Sequence, residues 1–203
     1  IIGLPRTATT SVCVATLSLG FKTAHTAYTQ RAMDEAQIIA DTPVFCDYQQ
    51  LDKVYPNAKF VYLSRESDKW LPSIRQLLER MYTNLQRSDG GFNPILKRCY
   101  NEVFEPLTLD NIAKDSFLLE CYQRHYQGAL DYFSGREQDL LIIDVAHSDS
   151  FQLLADFLDV TDIEPWQNFE HINIGGKVTA WKKIKHPLKV EATEKGKIDS
   201  VKR

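Results

Sequence analysis

Positive charge is not in excess in this chain: 24 Lys and Arg stand against 27 Asp and Glu, a formal net charge of −3. That balance argues against a nucleic-acid binder, whose phosphate backbone calls for a basic surface. It still leaves room for a local positive cleft that takes a small anion. No apolar run approaches the ~20 residues that a membrane span requires, so no membrane partner is expected. The four cysteines (Cys13, Cys46, Cys99, Cys121) show neither C-x-x-C spacing nor the density of a disulfide-stapled domain. They read as reduced thiols of a cytoplasmic protein. There is no signal-peptide pattern. The chain starts at Ile1 without a methionine, so further residues are expected upstream. Metal-ligand spacing and internal repeats are lacking too.

What is present is strand alternating with helix. A chain of 203 residues, 43% hydrophobic, suits one domain with a substantial core, and the alternation favours an α/β class. Ile1–Leu4 reads as a buried strand and Thr9–Leu19 as a helix closed by Gly20. Phe21–Thr26 reads as a short strand, and Gln30–Ala40 and Asp47–Tyr55 as helices. Lys59–Arg65, KFVYLSR, is the strongest strand. Apolar residues at Trp70, Ile74, Leu77, Leu78, Met81 and Leu85 recur at helical spacing and predict a helix over 68–86 with Asp68 as N-cap. Further helices are expected at 94–104 and 116–134. DLLIIDV (139–145) reads as a second fully buried strand, with a helix in SFQLLADFLD. From about residue 175 the chain turns charged and polar, which predicts a mobile C-terminal arm.

The first loop, PRTATT, joins a strand directly to a helix. First-turn amides have no intrahelical partners and face the positive end of the dipole, which favours an anion. Arg6 adds a permanent cation with forked donors, and Thr7, Thr9 and Thr10 add hydroxyls. A simple threonine N-cap is the structural alternative. A nucleotide-kinase loop needs G-x-x-x-x-G-K-[ST], but here Ala8 and Thr9 stand where glycine and lysine would. A second strand end carries Arg65, with Ser73 eight residues later on the next helix. Such a pair can grip one phosphate, or Arg65 can pair with Glu66 or Asp68.

Together the two motifs resemble the sulfotransferases that use 3′-phosphoadenosine 5′-phosphosulfate (PAPS) as donor. In that family a P-[KR]-[ST]-[GA]-T-T loop cradles the 5′-phosphosulfate, and an Arg with a Ser eight positions on holds the 3′-phosphate. Pro5–Thr10 and LSRESDKWLPS match these. ADTP (40–43) and Lys69-Trp70-Leu71-Pro72-Ser73 resemble a small single-domain branch of the family. The resemblance spans roughly residues 1–173. It implies a three-layer P-loop-NTPase-like fold, with a central parallel sheet flanked by helices. A sulfotransferase domain would then cover 1–174, with a basic segment at 175–203 as lid and tail.

The resemblance also implies chemistry: sulfuryl transfer from PAPS to a hydroxyl or amine of a small acceptor, leaving adenosine 3′,5′-bisphosphate (PAP), with no metal. Arg6 would stabilise the leaving oxygen, where relatives commonly use lysine. Pro5, Thr7, Ala8, Thr9, Thr10 and Ser11 would line the donor site with Arg65 and Ser73. Ala8 departs from the commoner glycine, and Ser11 from an aromatic residue near the adenine. The family's closing R-K-G-x-x-G-x-W-K is only echoed by GGKVTAWKK, making Lys177 and Lys182 candidate 3′-phosphate contacts and Trp181 a candidate for stacking on adenine. The general base falls to Asp41, where many relatives have histidine, with Asp41 as a turn cap the alternative. His25 is its rival. His125 and His171 read as packing residues, and Trp70 as core or lid. A nucleotide-binding regulatory protein without turnover remains the alternative from another class. Neither acceptor identity nor oligomeric state is legible.

Overall fold

A computed structural model describes residues 1–164, 167–169 and 180–199 of the chain. In order, its elements are α1 (Thr9–Ser18), β1 (Thr23–Ala24), α2 (Gln30–Glu35), β2 (Ile38–Ile39), α3 (Val44–Val54), β3 (Phe60–Ser64) and α4 (Ser67–Gln86). There follow α5 (Pro94–Val103), α6 (Leu109–Ile112), α7 (Asp115–Tyr132), β4 (Leu140–Asp144), α8 (Ser150–Phe157) and α9 (Ala180–Lys183).

Two short parallel pairs, β1–β2 and β3–β4, make up the sheet, and the first residues of the chain join them. The Ile1 nitrogen donates to the Ile39 carbonyl at 2.7 Å, and the Ile2 amide to the Val61 carbonyl at 2.8 Å. Gly3 then lies beside Leu63, so this segment runs parallel to β3. A Cβ on Gly3 would sit 2.6 Å from the Leu63 Cβ and 2.7 Å from its carbonyl oxygen. Only glycine allows that approach.

Alternation along β3 sets the layers. Phe60 and Tyr62 join one buried cluster, with Phe45 and Tyr48 of α3, Trp70, Ile74 and Leu78 of α4, and Leu118 and Cys121 of α7. Val61 and Leu63 join a second, with Val12, Cys13 and Ala15 of α1 and Phe151 and Leu154 of α8. Period-two side-chain direction therefore places helices on both faces of a parallel sheet. The three-layer α/β architecture expected from the sequence is present.

Several expectations give way. β4 is not fully buried: among its five residues only Ile143 is, because β3 is its one strand neighbour among the described residues. The helix expected over 30–40 ends at Glu35, where Ile38 and Ile39 turn to pair with β1. Glu66, not Asp68, takes the N-cap position of α4, and Asp68 sits in the first turn, where a carboxylate suits the dipole. The tail expected to be mobile is docked over 188–199. The Thr23 amide donates to the Leu188 carbonyl, the Val190 amide to the Thr23 carbonyl, and the Gln30 amide to an Asp199 carboxylate oxygen. The outer edge of β1 supplied backbone groups that needed partners.

Candidate functional site

His25 directly follows β1, Asp41 comes two residues after β2, Arg6 two after Leu4, and Arg65 directly after β3. All four stand at carboxyl ends of parallel segments, where open α/β sheets bind ligands.

The first loop alternates in backbone hand. Arg6 has φ 73° and Ala8 φ 70°, with Pro5 and Thr7 at negative φ. Alternate left-handed residues turn successive amides towards one concavity, an anion nest, and α1 begins immediately after it. The left-handed region is unfavourable for alanine, so this shape is held against a local preference. The Trp70 indole donates to the Pro5 carbonyl at 3.0 Å, tying the loop to α4. The Thr7 hydroxyl is buried and donates back to the Leu4 carbonyl at 2.7 Å. Thr7 therefore braces the loop with its hydroxyl and is not aimed into the nest, contrary to the expectation for it.

The two anion motifs meet. Arg6 Nε donates to Ser73 Oγ at 2.7 Å, and Arg65 Nη1 donates to the Arg6 carbonyl at 2.6 Å. Neither arginine forms an ion pair among the described residues, so the alternative pairing of Arg65 with Glu66 or Asp68 is not what the structure adopts. Burial, and then the Arg65 and Arg80 guanidiniums, push the Arg6 pKa down. Arg6 and Arg65, held close with no ion pair to either among the described residues, form a site short of negative charge. The Tyr122 hydroxyl accepts from the Arg65 amide at 3.0 Å, and its ring packs edge-on to Trp70, with centroids 4.8 Å apart.

Across the cleft, His25 Nε2 lies 2.9 Å from Thr10 Oγ1 and 3.3 Å from Thr9 Oγ1. Burial lowers the His25 pKa, and the Asp41 carboxylate partly opposes that. One Asp41 oxygen accepts from the Thr42 amide at 2.8 Å and from its hydroxyl at 3.1 Å. Asp41 thus caps its turn, as the alternative reading expected. Burial and then the Asp41 charge raise the phenols of Tyr28 and Tyr100, and Tyr100 also feels Arg6. Asp41, His25, two tyrosines and Arg6 therefore share one electrostatic neighbourhood.

Of the remaining candidates, Ser11 is buried in the first turn of α1. Trp181 lies 5.6 Å from the His25 ring, at a 32° tilt, with Lys189 Nζ 5.4 Å from its centroid. Lys182 is exposed on α9, and Lys177 and His171 lie outside the described residues. Sequence reasoning missed Tyr28, the hydrogen bond between the Tyr122 hydroxyl and the Arg65 amide, and the bracing role of Trp70. Trp70 could have been found from its place in the Lys-Trp-x-x-Ser pattern. Tyr122 could not, because its partner is 57 residues away.

Comparison with known proteins agrees with this geometry. No curated protein matches the chain. A family model described as a sulfotransferase domain matches residues 27–178, taking in Asp41, Arg65 and Ser73 and beginning after the first loop. With three-quarters of its length inside that match, this chain belongs to the sulfotransferase domain family.

Proposed function

We propose that the protein transfers a sulfuryl group from PAPS to a hydroxyl or amine of a small acceptor. The observation that carries this reading is the convergence of Arg6 and Arg65, without an ion pair to either among the described residues, on a loop of alternating backbone hand. A bound PAPS would supply the activated sulfuryl group and a phosphate leaving group. The nest amides, with Thr9 and Thr10, hold the 5′-phosphate end, while Arg65 and Ser73 hold the 3′-phosphate. Arg6 offers forked donors to the oxygen that gains charge, and its guanidinium keeps its proton throughout.

Asp41 accepts the acceptor's proton. One of its oxygens is pinned by Thr42, which orients the other. His25 is committed through Nε2 to the two threonines and positions them, so it is not the base in this reading. Trp181 closes the His25 side of the loop. A cytoplasmic location accords with the free cysteines, and among the described residues no helix is long and apolar enough to cross a membrane.

The test is calorimetric titration of PAP, without Mg²⁺, into wild type, Arg6→Ala and Arg65→Ala. Micromolar binding by wild type, about −8 kcal/mol, lost in both variants, is the expected result. No binding by folded wild type would sink the proposal. Binding without turnover on any acceptor screened would leave a nucleotide-binding protein instead.

A further inference from the structure

Away from the cleft, α3 and α5 bring two of the four cysteines together. Cys46 Sγ, Cys99 Sγ and an Asp47 carboxylate oxygen all lie within 4.8 Å of one another. Arg98 occupies the space a cation would need. Its Nη1 lies 3.5 Å from the Cys46 sulfur, its Nη2 3.3 Å from the Cys99 sulfur, and Nη2 also pairs with Asp47 at 2.6 Å. A guanidinium already neutralises this cluster, which argues against a metal and for thiol chemistry. Arg98 Nε is buried without a hydrogen-bond partner, so the head group is held there by the sulfurs and carboxylates alone.

We propose that Cys46 and Cys99 are a reversible disulfide site, closed by a hydroperoxide and reopened by a thiol reductant. Cys46 is half-buried and Cys99 fully buried, which sets the order of events. The Cys46 thiolate attacks one peroxide oxygen, the O–O bond breaks, and the departing hydroxide takes a proton to become water. Cys46 is then a sulfenic acid. The Cys99 sulfur attacks the Cys46 sulfur, the S–O bond breaks, and a second water leaves with the Cys99 proton. Two thiols have lost two electrons and the peroxide has gained them. Arg98, touching both sulfurs, stabilises each thiolate as it forms.

The two sulfurs lie within 4.8 Å of each other, and closure brings them to the ~2.04 Å of a disulfide. The neighbouring Cys99 thiol, followed by burial, raises the Cys46 pKa. Closure is therefore slow at neutral pH and speeds up as pH rises. The bond would bolt α3, which begins just past Asp41, to α5, which carries Tyr100.

The experiment treats the intact chain with graded hydrogen peroxide at pH 7 and pH 8.5, then alkylates it in denaturant and maps its peptides. The expected result is a fall from four alkylatable thiols to two, a single 46–99 linkage, faster closure at pH 8.5 and full reversal by dithiothreitol. Cys46→Ser and Cys46→Ala, checked for native circular dichroism, should show no linkage and keep Cys99 alkylatable, while Cys121→Ser should behave as wild type. Four thiols after treatment, a linkage between other cysteines, or oxygen added to Cys46 without a linkage would each overturn the proposal. None of these readouts depends on sulfotransferase activity.

Discussion

The two sides of the cleft are built by different means. The side proposed to take the donor is assembled from one contiguous loop and one strand–helix junction, and its shape lies in the backbone. Left-handed turns at Arg6 and Ala8 aim the amides, and Arg65 fastens the loop through a main-chain carbonyl. The side proposed to face the acceptor is assembled from side chains that follow β1 and β2 and from α5, with Asp41 charge felt by His25, Tyr28 and Tyr100. A backbone-built site tolerates little variation and leaves a readable motif. A side-chain-built site can change its ligand by changing single residues, and it leaves no motif.

The sharpest way to separate the two sides is Asp41→Asn. Asparagine tolerates the left-handed φ of 53° at that position, so the fold and PAP affinity should persist while turnover falls roughly 10²–10⁴-fold. Rates on an acceptor found by screening, read beside calorimetry, decide this, and a variant with unchanged turnover removes Asp41 as base. Next in size is Arg65→Ala. It should weaken PAP binding roughly 100-fold, as expected for losing a charge-assisted contact to a phosphate. Retained affinity would show that the backbone nest suffices without the second arginine.

The third test concerns pH. His125 Nε2 donates to the Phe45 carbonyl at 2.7 Å, while Nδ1 accepts from the Tyr62 hydroxyl at 3.0 Å, and burial lowers its pKa to about 4. The unfolded chain takes up this proton below about pH 6.5, the folded chain only near pH 4. Stability should therefore fall as pH drops through that window, by about 3 kcal/mol in total. Urea midpoints at pH 7 and pH 4 for wild type and His125→Gln isolate this contribution, and an equal pH slope in both proteins would refute it. The smallest effect is expected from Ala8→Gly. Relief of the left-handed strain should exceed the added entropy of the unfolded chain by up to about 1 kcal/mol. A modest rise in melting temperature with unchanged PAP affinity would show that the loop shape is set by its surroundings.

The legible parts of the fold were those with strong local signals. The stripe from Trp70 to Leu85 predicted α4, and the run around Val61 predicted β3. β1 was read too long, as Phe21–Thr26, and β2 was absorbed into a helix over 30–40, since two-residue strands carry no period; docking of 188–199 depends on edge groups that sequence does not display. In the site, Arg6, Arg65 and Ser73 were readable because fixed spacing brings them together. Tyr28 was not, because an aromatic residue looks like core whether or not its hydroxyl takes part in a site. Thr7 misled for the opposite reason, since its hydroxyl type suited the ligand but its direction served the loop.

The crowding of Arg6 by Arg65 and Arg80 has a practical corollary for anyone handling the protein. Like charges held close weaken the fold that holds them, and a multivalent anion bound there, as proposed, would relieve that repulsion. On the proposed function, folding and ligand occupancy are thereby linked, and a nucleotide at a hundred times its dissociation constant would add about 2.7 kcal/mol. The melting temperature becomes a gauge of what the cradle holds, and phosphate or sulfate in a storage buffer would register on it before any substrate does.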